Sequence, residues 1–132
     1  KPHIIATINR IRAPFNVTSA GQDAAIDALA DTDFVANSKA HNLKWRKWFE
    51  DEMASLSNHG LRTVPSWCNF SLVLFEGKVD AETMYKGLQD AGYIVRWLPG
   101  QGLPHGLRVT IGTEEENRGL VAAMRAILDN AG

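Results

Sequence analysis

The strongest constraint on folding lies in the last third of the chain. Leu107, Val109 and Ile111 alternate with Arg108 and Thr110, the period of a strand with one buried face. Immediately after it, Thr113 and Glu116 have the spacing of a capping box, and Leu120, Val121, Met124, Ile127 and Leu128 share one side of the helix they open. A strand that runs straight into a capped amphipathic helix must bury both apolar faces against common neighbours, so a sheet covered by helices is expected. Arg108 leaves that strand by the face opposite the apolar residues.

The preceding segment has the same character. Phe70 to Phe75 is a continuous apolar run, short enough for a buried strand. Asp80 caps a helix whose face is Ala81, Met84, Tyr85, Leu88 and Ala91, and Gly92 closes it. Tyr93 to Trp97 is expected as the next strand, followed by a loop rich in proline and glycine from Leu98 to Gly106. Upstream of Pro65 the pattern is helical. Ile4, Ile5, Ile8 and Ile11 begin a short helix, and Pro14 breaks it by disfavouring helix in the residue before it. Thr18 or Ser19 caps a second helix through Ala24, Ala25, Ile26 and Leu29. Asp31-Thr32-Asp33 then introduces a long helical stretch to about Asn58, with Trp45, Trp48, Phe49, Met53 and Leu56 on one face, ended by His59-Gly60. The expected class is α/β (α+β): a sheet of about three strands covered by helices, preceded by a helical segment with one long helix.

Composition narrows the function. The 132 residues suffice for one ordinary core, with 45% hydrophobic and 22% charged residues. A net charge of -1 argues against general nucleic-acid or membrane-surface binding. The densest basic group, Lys44, Arg46 and Lys47, is read as a solvated helix face. One cysteine, Cys68, rules out an internal disulfide and fits a cytoplasmic setting. No apolar run reaches the ~18–20 residues of a membrane span. His3, His41, His59 and His105 lack ligand spacing, so no metal site is expected. The start, Lys1-Pro2, has no initiator methionine and goes straight into helical pattern, as if the chain entered mid-protein.

Two arginines are the candidates for chemistry. A guanidinium at Arg108 offers a planar fork that matches a carboxylate bidentately; the alternative is a side chain snorkelling from a sheet edge or paired with an acidic neighbour. Arg96, on a strand with Ile94, is comparable. Two cations at the ends of adjacent strands repel unless an anion joins them. Asn69, just before the buried strand, could contact a ligand or satisfy backbone at the strand start. His105 reads as an exposed loop residue. Ser38-Lys39-Ala40 superficially has the look of a cofactor-lysine segment, but Lys39 falls on a polar helical face, whereas a Schiff-base lysine must be desolvated.

Several of these segments resemble, in order along the chain, the carboxyl-terminal part of the histidinol-phosphate aminotransferases, pyridoxal-phosphate enzymes of fold type I. Pro14-Phe15-Asn16-Val17 is similar to that family's proline–aromatic–asparagine segment. Pro65-Ser66-Trp67-Cys68-Asn69-Phe70 resembles its entry to the first small-domain strand. Tyr93-Ile94-Val95-Arg96 resembles its glycine–isoleucine–valine–arginine strand. Leu107-Arg108-Val109-Thr110-Ile111-Gly112-Thr113 with Glu115-Glu116-Asn117 resembles its carboxyl-terminal signature.

The resemblance implies transamination between histidinol phosphate and 2-oxoglutarate in histidine biosynthesis, by a homodimer in the complete enzyme. Arg108 would bind the carboxylate of the amino acid or 2-oxo acid. Arg96 would recognise the phosphate or distal acid, and Asn16 and Asn69 would be lesser substrate contacts. Residues 1–33 would lead from a large cofactor domain, and residues 34–132 would be the small domain. The family's Schiff-base lysine, pyridine-facing aspartate, ring-oxygen tyrosine and phosphate-cup residues have no counterpart here. The chain alone is therefore expected to be inactive and to hold no cofactor. Two rival readings are a stand-alone ferredoxin-like module sensing a small anion between Arg96 and Arg108, and an interaction domain using Trp45, Trp48 and Phe49 as a partner face.

Overall fold

Alternation on the carboxyl-terminal strand decides which side of the sheet is buried. In a computed structural model describing residues 1–12 and 17–131, Leu107, Val109 and Ile111 are all within the core. Their strand, running Leu103–Thr110, lies between two others. In chain order the strands are β1 (Leu61–Val64), β2 (Phe70–Phe75), β3 (Arg96–Leu98) and β4 (Leu103–Thr110), and the sheet order is β1-β2-β4-β3, antiparallel throughout. Because β2 and β3 both pair with β4, they run parallel to each other, with α4 (Ala81–Asp90) crossing between them as in a split βαβ unit. Residues Ser38–Gly132 form one compact unit. Within it the later part of α3 (Thr32–Ser55), α4 and α5 (Glu114–Asn130) supply Trp45, Phe49, Met53, Met84, Leu88, Leu120, Val121 and Met124 to a common core with Val73, Phe75 and the β4 residues.

Helix ends follow the expected local chemistry. The Thr83 amide donates to Asp80 Oδ1 at 2.8 Å to start α4. Thr113 and Glu116 form the capping box of α5: the Glu116 amide reaches Thr113 Oγ1 at 3.3 Å and the Thr113 amide reaches Glu116 Oε2 at 2.8 Å. At the far end of α4, the Tyr93 amide bonds the Leu88 carbonyl and the Gly92 amide bonds Gln89, the paired bonds of a Schellman motif, with Gly92 at φ 86°.

Three details depart from the expectation. A fourth strand, β1, pairs with β2 along the edge; its four residues were too short to register as a strand. Gly60 at φ 78° and Gly77 approach so closely that a Cβ on either would strike the other turn's backbone, which lets β1 begin immediately after α3 and its 3-10 turn. The strand expected over Tyr93–Trp97 is displaced to Arg96–Leu98. The Schellman bond holds Tyr93 back, and its hydroxyl fills the space over Gly119 of α5, drawing residues 93–95 off the ladder. Much of the expected Leu98–Gly106 loop is strand. A 3-10 turn over Pro99–Gln101 and Gly102 at φ 74° reverse the chain, and β4 is already paired at Leu103.

The unit Lys1–Asn37 holds α1 (Pro2–Ile11), α2 (Ser19–Ala30) and the start of α3. Thr18 caps α2, accepting from the Gly21 amide at 3.1 Å. Neither α1 nor α2 has a buried residue; Ile5 and Leu29 are 60% and 81% exposed.

Candidate functional site

The sheet face away from the core carries Phe70, Leu72, Arg96, Arg108 and Thr110. Its register sets Arg96 directly opposite Arg108 on adjacent strands, the juxtaposition anticipated from the sequence. Directly opposed cross-strand side chains have Cβ atoms about 4.5–5.5 Å apart, where like charges are unfavourable. The other arginines of this unit resolve their charge internally. Arg46 lies 3.8 Å from Glu50, Arg62 3.1 Å from Glu76, Arg118 2.9 Å from Glu114 and Arg125 2.6 Å from Glu52. Arg96 and Arg108 have no carboxylate partner among the described residues. The guanidinium of Arg108 instead lies over the ring of Phe70, 5.1 Å from its centroid. Its Nε is buried without a hydrogen-bond partner among the described residues. Arg108 is thus half-buried with an idle donor, and it faces a second arginine that has no carboxylate partner among the described residues.

The remaining candidates take different positions. Asn69 immediately precedes β2; its carbonyl accepts from the Ile111 amide at 2.9 Å, extending the β2–β4 ladder, while its side chain is exposed. Asn16 lies outside the described residues. A 440 Å³ notch opens where residues 93–95 leave β4, lined by Tyr93, Ile94, Val95, Thr110, Glu116 and Asn117. Glu116 makes it unsuited to an anion: its carboxyl is held below the usual range by the Thr113 amide and hydroxyl, and so stays charged.

Residues not singled out for a role also shape the site. Asn117, 1% exposed, accepts from the Gly112 amide at 3.0 Å and donates to its carbonyl at 2.9 Å, and His41 Nε2 meets the same carbonyl at 2.9 Å. Together they lock the junction through which β4 passes into α5. In the sequence Phe70 reads only as the start of an apolar strand; its diagonal relation to Arg108 depends on the strand register. Arg46 departs from the solvated face expected of Lys44, Arg46 and Lys47. It is 7% exposed and donates to the Cys68 carbonyl at 2.9 Å, tying α3 to the segment that leads into β2. The aromatic face proposed for partner binding is also largely interior: Trp45 is 3% exposed and Phe49 0%, with the Arg118 guanidinium lying over the rings of both Trp45 and Trp48.

Every lysine is exposed, Lys39 included, and Lys47 and Lys86 pair with Asp51 and Glu82 along their helices. No group of three or more histidine, cysteine, aspartate or glutamate side chains that could hold a metal occurs among the described residues. Nor does any helix among them have the length and apolarity to cross a membrane.

The chain belongs to the class I and II aminotransferases, whose family description matches residues 1–124. More particularly, it is 65% identical over 125 residues to the histidinol-phosphate aminotransferase of Sphingopyxis alaskensis, covering 95% of this chain and 34% of that protein. The enzyme of the same name from Zymomonas mobilis is 56% identical over 130 residues, 98% of this chain and 35% of the relative. Among solved structures, the histidinol-phosphate aminotransferase of Clostridium acetobutylicum superposes with a TM-score of 0.76 at 26% identity, over 97% of this chain and 38% of that one. That of Sinorhizobium meliloti, in complex with pyridoxal-5'-phosphate, gives 0.72 at 25% identity, over 99% and 35%. The chain thus spans about a third of the length of the relatives it matches.

Proposed function

We propose that this chain is the carboxyl-terminal, substrate-closing part of a pyridoxal-phosphate aminotransferase that moves an amino group between histidinol phosphate and 2-oxoglutarate. Residues 34–132 are its small domain, and residues 1–33 lead in from a large domain that carries the cofactor lysine. The observation that supports this most directly is the opposed pair Arg96 and Arg108, left without acidic partners while the neighbouring arginines have theirs. Arg108 binds the carboxylate of the amino acid or 2-oxo acid. Arg96 takes the phosphate of one substrate and the distal carboxylate of the other, since both present an anion at the end away from the amine. Asn16 and Asn69 are secondary contacts. The complete enzyme works as a cytoplasmic homodimer, and this chain alone does not transaminate.

The cofactor supplies the electron sink for the amino transfer. The part played by these residues is charge neutralisation and orientation, and it needs no movement of a proton at either arginine. In the complete enzyme, Arg108→Ala lowers kcat/KM for both amino and 2-oxo substrates by about 30- to 1000-fold, the loss expected when one partner of a desolvated ion pair is truncated. An unchanged kcat/KM for both would remove Arg108 from the site. Treating the isolated chain with pyridoxal phosphate and borohydride should give no stoichiometric lysine adduct; one at Lys39 would overturn the reading of this chain as inactive.

A further inference from the structure

We infer that Phe70 is a positioning residue for Arg108, holding its guanidinium flat and outward-facing so that it is ready for a carboxylate before substrate arrives. The inference rests on the proposed role of Arg108 and adds to it. Arg108 pairs with Leu72 and Thr110 with Phe70, so Phe70 is the diagonal neighbour of Arg108 on the same sheet face. That separation is within reach of an aromatic and a long side chain. The guanidinium carbon stands 5.1 Å from the ring centroid, inside the range of a cation–π contact. No hydrogen bond or ion pair among the described residues competes for it, and the Nε end is buried. The ring is therefore the partner that fixes the side chain's direction.

A flexible arginine opposite Arg96 would otherwise swing away from its like-charged neighbour and disperse the charge. An aromatic face removes that freedom without neutralising the cation, which a glutamate in the same place would do. Affinity then follows from preorganisation, because the fork loses less rotamer entropy on binding. The entry Asn69-Phe70 to β2 thus serves the site through its second residue, while the Asn69 carbonyl extends the ladder to Ile111.

Two measurements test this. In the isolated chain, the Arg108 Nε–Hε resonance, assigned by its loss in Arg108→Lys, should lie upfield of other arginines through the ring current of Phe70. It should return to the common position in Phe70→Leu and stay shifted in Phe70→Tyr. In the complete enzyme, Phe70→Leu should raise KM for amino and 2-oxo substrates by about 2- to 30-fold, the worth of a cation–π contact, with kcat little changed. Phe70→Tyr should restore it. A merely structural role would instead lower thermal stability and leave the KM-to-kcat split untouched. Should Phe70→Leu fail to fold, Phe70→Ile replaces it as a β-branched, non-aromatic residue suited to a strand. An unshifted Hε resonance overturns the inference. So does an unchanged KM in Phe70→Leu beside a raised one in Arg108→Ala, which leaves Arg108's own role standing; unchanged values in both variants overturn the two together.

Discussion

At the scale of single residues, what distinguishes this chain is where charge and polarity are left over. Arg62, Arg118 and Arg125 have glutamates at hand, whereas Arg96 and Arg108 stand opposed with none. Like charges directly opposed on neighbouring strands are destabilising. Asn117 shows the converse. Its side-chain oxygen and nitrogen both find partners, bridging the amide and the carbonyl of Gly112 while buried. Asn117→Ala should therefore lower the unfolding free energy by about 1 to 3 kcal/mol, measured by urea denaturation of the chain, because two bonds are lost at a site closed to water. A change smaller than a few tenths of a kcal/mol would show that Gly112 finds other partners. The outer face on which Arg108 lies was legible from strand alternation; the surroundings of Asn117 and Phe70 were not, since they depend on neighbours brought close by the fold.

At the scale of elements, local signals specify the helix ends well. Asp80 and Glu116 both sit at helix starts, and both carboxyls are held below their usual range, chiefly by the Thr83 amide and the Thr113 amide respectively. A folded-state pKa below the unfolded one adds stability that is present above about pH 4 and is lost as pH falls through the lowered value. Acidification should accordingly loosen α4 and α5 from their first turns. Asp80→Asn keeps a capping oxygen but does not titrate there, so the slope of stability against pH below about 4 should be shallower than in the natural chain. Equal slopes would mean the cap carries none of the acid sensitivity. The strands were less legible than the helices. Tyr93 to Val95 has the composition of a strand, yet the bond from Tyr93 to Leu88 and the space above Gly119 claim Tyr93 first. β1 is four residues at an edge, and only pairing with β2 makes it a strand.

At the scale of the molecule, stability is concentrated in the unit Ser38–Gly132. Phe49, at 0% exposure, joins α3 to a core shared with the sheet, and Phe49→Ala should cost about 3 to 5 kcal/mol by calorimetry or denaturant melting. Ile8 in α1 is 49% exposed, and Ile8→Ala should stay within about 0.5 kcal/mol; a larger loss would place that side chain in a core of its own. The sequence by itself determined the order of helices and strands after Pro65, the caps at Asp80 and Thr113, and the face by which Arg108 leaves its strand. Each of these rests on contacts within a few residues or on a strict period. Tertiary structure alone decided the register that sets Arg96 directly opposite Arg108, that the Phe70 ring takes the guanidinium, and that Arg46 goes inside. Those outcomes depend on strand register and on how α3 meets the sheet, and both are set by packing between segments far apart in the chain.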